Sequence, residues 1–388
     1  MYSMRRFLQN GWCLVFLVFS VSCQNELKLS SSYDYKLIPK DTLRISIDDS
    51  LTYRYTRIQY FIQDDSTYIV VSNTNQNGLT FVNVDSERIS KKVIYSQTGL
   101  NGVGDDAGSF HYVNMDSIFI FNSPSRKLFL TNSNADVIES FDLIDFADFD
   151  FGEPMMWIAY ASHYAEGVLK FSVLPTYLNG HEISRNSNDP VVVKFDINAK
   201  KVSKGLIDYS YANMNNHHYI RHTPISVVGK DNVLYYCFPF ENRILFENQE
   251  TGIVEEKTTF VSDFVKEYYP MQGEYKNDIR RFDVEFPYNA NLKYDPFRNV
   301  YYMVVYHGIP FVDDSTGELR SFSQKPFSII VFDEEFKKLS EQKFEGGNFL
   351  PGGSFVSRKG LYIFFNNIEN PLFNENYFKY VLFNLEKN

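Results

Sequence analysis

The sequence predicts an all-β protein: a six-bladed β-propeller of four-stranded antiparallel blades, closed by a strand from the N-terminus. Three observations predict it. Aromatic residues make up 17% of the chain, nearly all of them Phe and Tyr, and aromatic and β-branched side chains suit pleated, half-buried surfaces. Short strand-like runs recur at regular spacing between turn signals, with few amphipathic helices. One unit is visibly repeated. The Gly-rich turn, short strand, turn and apolar strand of Gly99 to Asn122 return in Gly346 to Asn367. There Gly353-Ser354-Phe355 answers Gly108-Ser109-Phe110, and Leu361 to Asn366 answers Ile118 to Asn122.

The chain opens with a targeting segment. Arg5 and Arg6 precede an apolar run from Gly11 to Phe19, too short to span a bilayer as a helix. Ser20-Val21-Ser22-Cys23 follows. Small residues before a cysteine are the pattern of a bacterial lipoprotein cleavage site, with Cys23 bearing the lipid, although Ser20 stands where an aliphatic residue is usual. An ordinary secretory peptide cut nearby is the alternative. Residues 1–22 read as signal peptide, 23–37 as a Ser-rich tether and 38–388 as one propeller domain. Several acyl chains, at roughly 0.8 kcal/mol per buried methylene, make a durable membrane anchor. Gln24, in place of the Asp that retains lipoproteins in the inner membrane, points to the outer membrane, periplasmic or surface-facing. Cys13 leaves with the signal and Cys23 is lipidated, so Cys237 stands alone. No disulfide forms within the monomer, and Cys237 reads as a small buried apolar residue.

The blades follow in order. The first is expected from Arg57 to Ser96, the second from Phe110 to Leu143, and the third from Met156 to Asp208 with an insertion at Pro175 to Pro190. The fourth runs from Ile225 to Phe260 and the fifth from Ala290 to Phe344. The sixth has only Ser354 to Ser357, Leu361 to Asn366 and Tyr377 to Leu385, while Thr42 to Ile47 is a spare strand at the other end. Pairing Thr42 to Ile47 outside Tyr377 to Leu385 completes the ring and removes an exposed edge. Seven blades or a pair of irregular sandwiches are the alternatives. Continuous apolar runs such as Ile118 to Phe121 suit strands buried on both faces between blades. Val261 to Tyr268 reads as a short helix with Ser262 as its N-cap.

With a lipobox, a tether and six four-stranded repeats, the chain resembles the six-bladed β-propeller lipoproteins of Bacteroidetes. It is most similar to an uncharacterised family known only as a domain of unknown function. The Gly102-x-Gly104…Gly108-x-Phe110 turn is similar to the NHL-type inter-blade turn. The fuller NHL signature, with Asp-Gly in the turn and an Arg-bearing strand after it, is missing from most blades. The resemblance implies the fold over nearly the whole mature chain and implies no activity.

In a propeller, the connections from one blade to the next gather at one face around the central channel. That geometry nominates Asp105 and Asp106 before the second blade, His217, His218, Arg221 and His222 before the fourth, and Arg280 and Arg281 before the fifth as ligand-binding candidates. His218 and His222 have the spacing of two metal ligands on a helical turn, yet nothing else there predicts a helix, and a solvated or ligand-facing loop is the reading. Two carboxylates are too few for calcium, so Asp105 and Asp106 are first of all turn residues. Arg280 and Arg281 could clamp an anion or simply be solvated. No metal and no cofactor is expected, and no catalytic signature of a hydrolase elbow, a phosphate loop or a dinucleotide site is present.

The formal charge of −10 argues against nucleic acid as a partner, because phosphates demand a basic face. The expected role is that of a lipid-anchored envelope propeller acting as a non-catalytic binding module for a peptide, glycan or protein partner. A propeller hydrolase or lyase acting on saccharide or peptide, and a structural subunit of an envelope assembly, are the alternatives.

Overall fold

The computed structural model describes residues 33–47, 51, 57–73, 76–105, 107–155, 162–174, 177–178, 182–183, 190–211, 223–248, 250–268 and 278–388. Six antiparallel sheets stand in the six-bladed propeller arrangement, five of them built from consecutive strands, and Tyr177–Leu178 pairs with Glu182–Ile183 in a separate two-stranded sheet. The first blade is Ile58–Gln63, Ser66–Asn73, Gly78–Asn83 and Arg88–Ile94, and the second is Ser109–Asn114, Ser117–Asn122, Lys127–Thr131 and Val137–Asp142. The fourth is Ile225–Val228, Leu234–Cys237, Arg243–Asn248 and Ile253–Thr259. The fifth is Tyr288–Asp295, Val300–Tyr306, Phe327–Asp333 and Lys338–Phe344. In the third blade, Val168–Val173, Val192–Asp196 and Lys201–Lys204 follow an innermost position divided between Pro154–Met155 and His163–Ala165. The strand expected over Met156 to Ala161 lies outside the described residues.

The sixth blade closes the ring. Phe355–Ser357, Gly360–Phe364 and Tyr377–Lys387 are completed from outside by Tyr35–Ser46. Tyr35 pairs with Lys387 and Ser46 with Tyr377, and the register shifts between Pro39 and Asp41. A proline offers no N–H to the ladder, so an edge strand with a bulge is where it belongs. The strand begins at Tyr35 rather than Thr42, so Tyr35, Lys36 and Leu37, assigned to the tether above, are part of the propeller.

The core is distributed between the blades. Strand Val300–Tyr306 shows how. Its residues Val300, Tyr302, Val304 and Tyr306 join the apolar cluster shared with the sixth blade, while Tyr301, Met303 and Val305 join the one shared with the fourth. The period of two persists, but both faces are buried, which erases the polar alternation from the sequence. Ser117–Asn122 repeats the pattern, with Ile118 and Ile120 turned to the first blade and Phe119 and Phe121 to the third. Phe and Tyr fill these interfaces in stacked, tilted and edge-on pairs, as in Phe121 edge-on to Phe171 at 5.1 Å, a favoured arrangement for ring quadrupoles.

The connections follow local chemistry. In the Gly-rich turn, Gly104 takes φ +86° and Val103 is buried. The Asn77 side chain holds the turn, donating to the Gly104 carbonyl at 2.8 Å and accepting from the Ala107 N–H at 2.7 Å. Between the fourth and fifth blades the expectation fails. Residues 261–268 form no helix. The Ser262 hydroxyl does accept from the N–H groups of Phe264 and Val265, each at 3.1 Å. The Asp263 N–H goes instead to Glu341 at 2.7 Å, and Val265 is drawn into the core. A helix forms later, at Ile279–Glu285, where Asp278 is the N-cap and accepts from the Arg281 N–H.

Candidate functional site

Residues in or beside the innermost strands of all six blades line a central cavity of about 240 Å³. Most of its polar side chains are already engaged. Gln59 of the first blade donates its amide to the Tyr112 carbonyl and accepts from the Tyr112 N–H, each at 2.8 Å, joining the first two blades. Asn291 of the fifth blade donates to the Gly352 carbonyl at 3.2 Å, and the Ser354 hydroxyl to the Pro351 carbonyl at 2.6 Å. The Gln59 and Asn291 bonds set the spacing of neighbouring blades around the cavity.

Three groups that carry or can carry positive charge also line it: Arg57, His111 and Lys293. Arg57 stands immediately before the first strand and is buried. His111, in the second blade, is buried with Nδ1 2.6 Å from the Ser162 hydroxyl. Burial, with His163 nearby, pulls its pKa down to about 3, so the imidazole is neutral and only feebly basic at neutral pH. Lys293, on the inner strand of the fifth blade, is half-buried, and desolvation brings its ammonium down to about 8. Among the described residues no hydrogen-bond or ion-pair partner meets the Lys293 ammonium, and no carboxylate lines the cavity.

The acids that do enter the interior are elsewhere and sealed. Glu247, between the third and fourth blades, is met by Lys170 at 3.1 Å, Lys194 at 3.6 Å and the Leu206 N–H at 3.2 Å. Burial alone would raise its pKa, but the two lysines hold it below the ordinary carboxylate value. Asp295 takes Arg298 at 2.9 Å and the Tyr302 hydroxyl at 3.2 Å. Glu341 accepts from Ser262, Ser328, the Asp263 N–H and Lys338. His307 Nε2 lies 3.1 Å from the same Ser328 hydroxyl. This is not a nucleophile–base–acid series: Ser328 is fully buried and sits between the histidine and the acid. Its one hydrogen goes to the carboxylate, so it accepts from an Nε2–H of neutral His307.

The residues nominated from the sequence do not converge on the cavity where they are described. Asp105 is exposed on the connection into the second blade. Arg281 pairs with Glu285 at 3.1 Å on the short helix, and the Arg280 guanidinium lies 5.8 Å from the Phe311 ring centre. None of these three lines the central cavity. Asp106, His217, His218, Arg221, His222 and Cys23 lie outside the described residues. Cys237 is fully buried, and burial pushes its thiol well up. The cavity groups lie in or beside the innermost strands, not in the connections nominated above. The available signal was a polar residue inside an innermost strand: Gln59, His111 and Lys293.

Comparison with known proteins agrees with this architecture. The search of curated proteins found no match. A Bacteroides vulgatus structure of the DUF4221 family superposes with a TM-score of 0.75 at 19% identity, covering 92% of this chain and 99% of that one. A Bacteroides fragilis protein, named as an exported one, superposes with a TM-score of 0.56 at 10% identity, covering 92% of this chain and 96% of its own. At these identities both show the shared fold. The family pattern described as "Domain of unknown function (DUF4221)" matches residues 34–343, and with that span of the propeller covered, the chain belongs to the DUF4221 family.

Proposed function

We propose that this protein is an exported lipoprotein, anchored through Cys23, whose propeller is a non-catalytic module that seats part of a peptide or glycan ligand in its central cavity. The observation that carries the binding role is the cavity itself. It has about 240 Å³ of space, somewhat below the range of drug-sized sites, and it is bordered by every blade. What favours binding over hydrolysis is the inventory of its wall. Glycoside chemistry uses a pair of carboxylates, and the described lining carries none. His111 is held too far down to serve as a general base near neutral pH.

Two measurements test the reading. Val228 lines the cavity and packs against the cluster between the third and fourth blades, and Val228→Trp is expected to fill the cavity, with circular dichroism and melting checking that the variant is folded. Thermal-shift titration with a panel of monosaccharides, uronic acids and dipeptides should show at least one stabilising compound for the wild type and none for the variant. Equal shifts in both proteins would remove the cavity as the site. For the anchor, Cys23→Ala should move the protein from the membrane pellet to the soluble fraction and abolish palmitate labelling. Retention in the pellet with labelling intact would refute lipidation at Cys23.

A further inference from the structure

We propose that the group seated in the central cavity is an oxyanion, a carboxylate or phosphoryl group of a small ligand, held by Lys293 of the fifth blade in a cavity that Arg57 of the first blade also borders. The inference rests on the binding role proposed above and adds the chemistry of the ligand.

The argument starts from charge. The chain carries 48 acidic and 38 basic residues, so a cavity drawn at random from it would be acidic. The charged side chains bordering this one are Arg57 and Lys293, with no carboxylate among the described lining. The interior treats its other charges differently. Glu247, Glu341 and Asp295 each have a cation within 3.1 Å or closer. Buried Lys325 donates to the carbonyls of Asp283 and Phe286 at 2.6 and 2.7 Å and faces the Tyr288 ring. Lys293 alone of these interior groups meets no acceptor among the described residues. Leaving a desolvated ammonium without one is costly.

An anion brought against the Lys293 ammonium relieves that cost. Desolvation has already drawn the Lys293 pKa down to about 8, the direction expected of an ammonium short of counter-charge. Most of it is nonetheless protonated at neutral pH. The Lys293 ammonium acts on an anion as a point charge. Around it Phe110, Phe355 and Leu292 supply apolar wall, which lowers the local dielectric and strengthens the pairing.

The test uses the mature full chain and a matched pair of probes that differ in one group, D-glucuronate and D-glucose, together with inorganic phosphate and citrate. Isothermal titration calorimetry at low salt is expected to show one site for at least one of the three anions, weakened by added chloride, with no heat from glucose. Lys293→Gln should weaken that binding about ten- to a hundred-fold, the range for loss of one charged hydrogen bond. Lys293→Arg should restore most of it. Circular dichroism and melting would confirm that both variants are folded. Binding unaffected by Lys293→Gln, or no binding of any of the three anions up to about 10 mM, would overturn the inference. If glucose binds as well as glucuronate and Val228→Trp abolishes both, the cavity remains a binding site and the assignment of an oxyanion falls.

Discussion

Between pH 6.5 and pH 4.5 the propeller is expected to lose on the order of 5 kcal/mol of stability through two buried imidazoles, at about 1.4 kcal/mol per pH unit for each. Burial lowers the pKa of His111 to about 3 and of His307 to about 4. Both are held neutral: His111 beside the Ser162 hydroxyl and His307 against Ser328, with the Phe264 ring stacked on it at 5.6 Å. In the unfolded chain each titrates near 6.5. Below that value the unfolded state takes up protons that the folded state refuses. The stability present above pH 6.5 is therefore lost as pH falls, until each folded pKa is reached. Urea midpoints measured across this window should fall steeply, and His307→Gln should flatten the slope by about half. A midpoint that stays level from pH 6.5 to 4.5 in the wild type would contradict the burial of both rings.

Glu341→Ala is expected to cost about 4 kcal/mol, among the larger effects available to a single substitution outside the aromatic interfaces. The Glu341 side chain is wholly buried and accepts from Ser262 at 2.6 Å, Ser328 at 2.7 Å, the Asp263 N–H at 2.7 Å and Lys338 at 2.6 Å. One carboxylate thus binds two strands of the fifth blade to the connection arriving from the fourth. Lys338 keeps a second partner in Asp263 at 2.8 Å, so the variant does not strand a cation. The loss comes from two hydroxyls and a backbone N–H left buried without an acceptor. Glu341→Gln keeps the shape and one acceptor oxygen and should cost about half as much. Chemical denaturation of the three proteins at pH 7 checks the order. An alanine variant within about 1 kcal/mol of wild type would mean that water takes over the four bonds.

Much of the fold was legible because propeller blades are local. Five of the six blades are made of consecutive strands, so the turn residues and apolar runs of Ser117–Asn122, Lys127–Thr131, Phe327–Asp333 and Lys338–Phe344 mark their own boundaries. The closing strand was legible by arithmetic, since one blade lacked a strand and one strand lacked a blade. Its start at Tyr35 was not, because Pro39 and Lys40 interrupt the strand pattern until a partner strand accommodates the bulge. The short helix was hidden by its charges. Arg280 and Arg281 drew notice as a clamp, while the true signal was Asp278 capping a turn whose Phe282 is buried and stacks on Phe286 at 4.6 Å. The candidate site was the least legible part. A cavity wall is assembled from one or two residues per blade, separated along the chain by whole sheets, and no spacing rule links Arg57, His111 and Lys293. What marks them is local incongruity, a cation or imidazole within or beside strands otherwise given to apolar contact.

The register of the outermost pair in the sixth blade also has a temporal meaning. The N–H of Asn388 donates to the carbonyl of Asp34, so the two ends of the propeller are tied to each other. Closing a loop of that length costs about 5 kcal/mol in chain entropy before any contact is gained, and pairings so distant in sequence form late. A chain delivered N-terminus first holds Tyr35–Ser46 uncommitted until Tyr377–Lys387 arrives. The first five sheets can form meanwhile, each from its own strands, but the ring locks only when delivery is complete. A chain cut short of residue 377 has nothing to lock with.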